Sequence, residues 1–128
     1  MLLRGASGSG KSDLALRLID AGARLVADDQ VEIARDGDHL AVRPPATIAG
    51  MMEVRGLGLF RLGHVPSVLS LTVDLVAPAD VERMPEPESV SFLDIAVPLV
   101  RLTPWESSAP AKVRLALRAA LGTAVPVR

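Results

Sequence analysis

Apolar and polar residues alternate from Leu69 to Leu75, with Leu69, Leu71, Val73 and Leu75 set against Ser70, Thr72 and Asp74. A period of two is what a strand with one buried face requires. A longer period runs from Asp13 to Ala21, where Leu14, Leu18 and Ile19 share one helical face and Gly22 stands where a helix stop is expected. A second helix is expected after Ser107 and Ser108, its candidate caps. There Pro110 suits the first turn, Val113, Leu117, Ala120 and Leu121 fall on one face, and Gly122 follows. Shorter apolar runs predict the remaining strands. Leu2 and Leu3 read as the tail of a strand whose greater part is missing, Arg24–Ala27 as a short strand, and a further strand is expected between Val90 and Leu102. Val31–Ala34 and His39–Val42 flank Asp36-Gly37, a hairpin signal, and Pro44-Pro45 ends that unit. The segment Gly50–Leu62 has weak periodicity and reads as a strand opening into a loop, while Pro78, Pro85 and Pro87 punctuate an exposed connector.

Composition narrows the classes. A chain of 128 residues fits one domain and can remove roughly two-thirds of its unfolded surface from water. Apolar residues make up 49% of it, yet Phe60, Phe92 and Trp105 are its only aromatics, so the core must be built from Leu, Val, Ile and Ala. Fourteen Lys and Arg residues against 15 Asp and Glu give a net charge of -1, with no basic block to track a nucleic-acid backbone. The absence of cysteine excludes a disulfide framework, a thiolate nucleophile and a Cys-based zinc site. No apolar run approaches the ~20 residues that span a bilayer, and the short Met1–Arg4 start does not resemble a signal peptide, so a cytoplasmic protein with no nucleic-acid or membrane partner is expected.

The chemistry concentrates in Gly5-Ala6-Ser7-Gly8-Ser9-Gly10-Lys11-Ser12, which matches the full GxxxxGK[ST] pattern after a strand remnant and before a helix. Residues with little or no side chain let successive backbone N–H groups turn toward phosphate oxygens, reinforced by the positive end of the helix dipole. Lys11 adds a full charge at the β and γ phosphates of a nucleoside triphosphate, and the Ser12 hydroxyl is positioned to ligate the bridging Mg2+. The alternative is a Gly/Ser turn that fits the pattern by chance, which at ordinary glycine usage happens in roughly one window in 10⁴.

A phosphate site also needs groups for the metal and for the acceptor's proton. Asp28 and Asp29 follow Leu25-Val26-Ala27 and so are expected at the carboxyl end of a strand, the edge where open α/β sheets hold ligands. Consecutive strand residues face opposite ways. One carboxylate can therefore serve Mg2+ while the other meets an incoming hydroxyl, and two adjacent negative charges tend to raise one pKa, which favours a base. The alternative is a turn leading into the hairpin. An acidic pair directly after the P-loop helix points toward phosphoryl transfer to an acceptor.

Met52-Glu-Val-Arg-Gly-Leu-Gly58 resembles the signature of HPr kinase/phosphorylases. The P-loop, Arg24–Asp29, and Pro44-Pro45 through Gly50 fit the same family in order and spacing, from roughly Leu2 to Pro85. The resemblance implies an ATP- and Mg2+-dependent kinase acting on a serine of the phosphocarrier protein HPr, with phosphate-dependent dephosphorylation in many members, and a homohexamer. Carried over, Lys11 and Ser12 serve nucleotide and metal, Asp28 is the base (the acid in reverse), Asp29 and Glu53 support the metal site, and Arg55 holds phosphate or assembles the site. A cross-strand ion pair is the alternative for Glu53 and Arg55. The family's separate N-terminal domain and the histidine before its P-loop strand are not in this sequence, which reads as a truncated product. Where the family shows a glycine-arginine-asparagine loop, Val97-Pro-Leu-Val-Arg101 runs into Leu-Thr-Pro-Trp-Glu. Arg101 then stands in for one of the family's arginines, and the phosphorylase reaction is the part of the resemblance this departure touches.

The expectation is a single α/β P-loop kinase domain over residues 1–128, with a mixed sheet, a hairpin and a C-terminal helix. His39 and His64 lack metal-ligand neighbours and read as surface residues, and the basic face Lys112, Arg114 and Arg118 reads as solvated, with HPr docking as its alternative. Two other functions stand beside protein phosphorylation: a small-molecule kinase, and a nucleotide-sensing module without transfer.

Overall fold

The computed structural model describes residues 1–6, 8–26, 31–44 and 50–127. These divide into two compact units, one of Met1–Lys11 with Leu69–Arg128, the other of Ser12–Val68.

In the first unit β1 (Leu2–Arg4), β7 (Thr72–Leu75), β8 (Glu88–Phe92) and β9 (Ile95–Leu102) form one sheet in the order β1-β7-β9-β8. Strands β1 and β9 both run parallel to β7, and β8 runs antiparallel to β9. The mixed sheet expected from the sequence is thus present. Strand β9 alternates, with Val97 and Leu99 buried and Ala96 and Pro98 exposed. Pro98 is tolerated because β7 pairs with β9 only from Leu99 onward. Strand β7 departs from its expected half-exposed pattern, since Thr72 is as fully buried as Val73. It lies between two parallel neighbours, where both faces of a strand are covered. Arg4 reaches across to its register partner Asp74 with a forked pair of hydrogen bonds, Nε to Oδ1 at 2.7 Å and a terminal nitrogen to Oδ2 at 3.0 Å.

The region between Val90 and Leu102 is a hairpin rather than one strand, closed at Leu93-Asp94. Leu93 has φ 49° and Asp94 φ 65°, the left-handed pair of a type I′ turn. That pair is natural for Asn-Gly and strained for leucine, which is why no turn signal marked it. Leu93→Asn is expected to raise stability by about 1 kcal/mol, a shift of roughly 3–5 °C in thermal midpoint; an unchanged or lower midpoint would contradict the strain.

Helix α2 (Ala109–Ala120) carries Pro110 in its first turn, as expected, and buries Ala109 and Val113. Leu121 is 57% exposed because it is the terminal cap residue rather than part of the packed face. Ser108 is the residue before the helix, but its backbone is helical and its hydroxyl bonds the Glu106 carboxylate at 3.3 Å, so it does not cap through its side chain. The C-terminal stop is as read. Thr123 N–H donates to Arg118 and Gly122 N–H to Ala119, the paired bonds of a Schellman motif, with Gly122 at φ 80°.

Helix α1 (Lys11–Asp20), which belongs to the second unit from Ser12 onward, buries Leu14 and Leu18 and ends in the same motif at Gly22. Strands β2 (Glu32–Asp36) and β3 (His39–Arg43) form the expected hairpin, extended at an edge by β6 (Ser67–Val68). Asp36 pairs with His39, so the turn is Gly37-Asp38, one residue later than read. The Gly50–Leu62 segment folds into a second hairpin, β4 (Met51–Val54) with β5 (Gly58–Arg61). All of β5 is exposed, so nothing imposed a periodicity on it. The strand expected at Arg24–Ala27 is not formed over its described residues: Leu25 is buried but ties in through one backbone bond, its carbonyl accepting from Val65 at 2.9 Å. Ala27 lies outside the described residues, as does Pro45.

Candidate active site

The three parallel strands β1, β7 and β9 end on one edge of the first unit's sheet, and both the Gly5–Gly10 loop and the segment after β9 leave from that edge. Carboxyl edges of this kind are where open α/β sheets bind ligands. The loop turns tightly, with the Ser9 N–H donating to the Ala6 carbonyl at 3.0 Å. Gly8 and Gly10 lie at φ 80° and 89°, conformations that cost a side-chain-bearing residue about 1–2 kcal/mol.

Two of the loop glycines stand close against neighbouring side chains. A Cβ on Gly5 would stand 2.4 Å from the Ser9 hydroxyl oxygen, and one on Gly10 would stand 2.7 Å from Pro104 Cγ and 3.3 Å from the Trp105 ring. The Ser9 hydroxyl is therefore folded under the loop, where it is buried without a hydrogen-bond partner. Lys11 and Ser12 open α1, and the first-turn N–H groups of a helix have no helical acceptor, which makes such a start suited to anions. A cradle that a Cβ would fill, at a strand-to-helix junction, fits a chain of phosphates.

The other sequence-read residues fall as follows. Ser7, Asp28 and Asp29 lie outside the described residues. Glu53 is exposed on β4 and Arg55 is exposed in the turn after it, both in the second unit. Arg101 sits on β9 in register with Asp74, and its guanidinium donates to Glu88 at 3.0 Å in an exposed pair. His39 and His64 are exposed, and among the described residues no three acidic or histidine side chains are grouped to hold a metal. No helix among the described residues is long and apolar enough to cross a membrane.

Sequence reasoning missed the segment Thr103–Glu106. Pro104 is fully buried and packs on Gly10, and the Thr103 hydroxyl is buried without a partner. Glu106 accepts from Lys112 Nζ at 2.6 Å, and that bond holds its carboxyl below the usual range. The signal that could have found this segment was positional: it follows a strand parallel to the one that feeds the P-loop.

The family model for the HPr serine kinase C-terminal domain matches residues 1–103. The HPr kinase/phosphorylase of Caldanaerobacter subterraneus subsp. tengcongensis is 40% identical over 113 aligned residues, covering 77% of this chain and 36% of that protein. That of Exiguobacterium sp. is 46% identical over 84 residues, covering 59% of this chain and 27% of that protein. The chain thus spans about a third of the length of the curated relatives it matches. Among solved structures, the Hpr(Ser) kinase/phosphatase from Coxiella burnetii superposes with a TM-score of 0.78 at 24% identity, over 91% of this chain and 83% of that one, a likeness of fold.

Proposed function

Because the chain belongs to the family of HPr serine kinase C-terminal domains, we propose that it transfers the γ-phosphoryl group of ATP, with Mg2+, to a serine of the phosphocarrier protein HPr. The observation that carries the reading is the glycine cradle placed where β1 hands over to α1, where Gly10 leaves no room for a Cβ against the buried Pro104.

The serine oxygen attacks the γ phosphorus. The bond from that phosphorus to the bridging oxygen breaks, ADP leaves, and the hydroxyl proton passes to Asp28. Lys11 sets a positive charge against the β and γ oxygens, where charge is spread in the transition state. Ser12, Asp29 and Glu53 are all-oxygen donors suited to a hard cation and would hold Mg2+. When bound, Mg2+ neutralises charge on the β and γ phosphates. Arg55 supplies a forked donor to phosphate. Arg101 would have to exchange Glu88 for phosphate to join it. In dephosphorylation an oxygen of inorganic phosphate would attack the phosphorus of the phosphoserine, the bond from that phosphorus to the serine oxygen would break, pyrophosphate would leave, and Asp28 would return the proton to the serine oxygen. Assembly as a homohexamer is part of the same proposal.

The test is incubation with purified HPr, ATP and Mg2+, mapping the modified residue by mass spectrometry, beside a panel of small metabolites with labelled ATP. Label on one HPr serine is the expected result. Label on a metabolite alone would replace the carrier with a small-molecule acceptor, and no label despite ATP binding would make the chain a nucleotide sensor. Sedimentation of the same material reads the assembly.

A further inference from the structure

The family model stops at residue 103, and the segment that packs on the phosphate loop begins there. We propose that the indole of Trp105 is the platform on which the base of the bound nucleoside triphosphate stacks, an inference that rests on the reading of the Gly5–Ser12 loop as a nucleotide cradle.

Four observations converge on it. Trp105 leaves β9 at the same sheet edge as the loop leaves β1. Its ring comes within 3.3 Å of the Cβ position of Gly10, the residue immediately before Lys11, so the indole borders the cradle itself. It is 62% exposed although Pro104 beside it is fully buried. The core therefore does not explain the tryptophan, and an apolar face is left open next to a polar site. Finally, the residues on either side of Trp105 are anchored. Pro104 is packed on Gly10, and Glu106 is tied to α2 through Lys112 at 2.6 Å. A platform whose backbone is anchored before the ligand arrives loses less ordering entropy on binding.

Phe92 lies at the far end of β8 beside Ile95, at the start of β9 and away from this edge, and Phe60 belongs to the second unit. Trp105 is thus the aromatic that the first unit's carboxyl edge offers. A π face accepts any base, and no edge-reading group is implied, so adenine and guanine nucleotides should bind alike.

Stacking on one aromatic is worth enough that its loss weakens binding roughly 5- to 150-fold. Calorimetric titration of wild type, Trp105→Ala and Trp105→Phe with Mg-ATP, Mg-GTP and Mg-tripolyphosphate tests the proposal, because tripolyphosphate fills the cradle and has no base. Trp105→Ala is expected to weaken ATP and GTP together by that factor and to leave tripolyphosphate within twofold. Trp105→Phe should restore most of the nucleotide affinity, and indole fluorescence should respond to ATP and not to tripolyphosphate. Unchanged ATP affinity in Trp105→Ala would overturn the proposal alone. So would equal loss of ATP and tripolyphosphate, which would make the ring a support for Gly10. Wild-type protein that binds neither would overturn the cradle as well.

Discussion

Asp28→Asn is expected to lower phosphoryl transfer to HPr by about 10²–10⁴-fold, the range a positioned general base contributes, while ATP stays bound. The substitution keeps the size of the side chain and removes its capacity to take the serine proton at neutral pH. In the proposed function the loop and Lys11, not Asp28, carry the ground-state contacts to the triphosphate, so binding and turnover should separate. Lys11→Ala gives the opposite pattern, losing affinity for nucleotide and tripolyphosphate together. Single-turnover transfer to HPr, read beside calorimetric ATP affinity, distinguishes the two. An Asp28→Asn protein that transfers at the wild-type rate would remove Asp28 from the chemistry. If every nucleotide-dependent property also survived, the chain would be read as a sensor.

The elements that the sequence made legible are those in which a local rule coincided with the tertiary role. Both helices end at the glycines that the pattern marked, because a left-handed residue after the last turn is a purely local demand met by Gly22 and Gly122. The glycine turn was legible for the same reason: Gly8 and Gly10 meet a local demand for positive φ. What stayed hidden depended on partners distant in the chain or on strain. Strand β5 carries no period because both its faces are exposed, and Leu93 violates the turn chemistry it performs. Trp105 looked like an isolated aromatic in a poorly matching segment until the parallel pairing of β7 with β1 and β9 brought the ends of β1 and β9 to one edge. Asp74 likewise read as the polar side of an alternating strand, whereas it is held by the forked contact from Arg4.

Gly10→Ala is expected to be the most damaging single methyl group in the first unit, and Gly8→Ala shows why. Both glycines have positive φ, 80° at Gly8 and 89° at Gly10, so each substitution carries the left-handed cost, about 1–2 kcal/mol. They differ in what the new methyl meets. Gly8 faces open space within 4 Å, whereas at Gly10 the methyl would lie 2.7 Å from Pro104 Cγ, closer than real Cβ contacts come, and 3.1 Å from its Cβ. Pro104 is buried and cannot retreat, so overpacking adds about 1–3 kcal/mol. Denaturant midpoints should therefore place Gly10→Ala below Gly8→Ala by roughly that second amount. Tripolyphosphate affinity should fall with it, since relieving the clash displaces the residue just before Lys11. Adding Pro104→Ala closes the cycle. If the methyl and the proline ring compete for one space, the double variant is less destabilised than the sum of the singles by at least ~1 kcal/mol. Strict additivity would mean that the loop and the segment after β9 do not touch, and the cradle would then lose its rear wall.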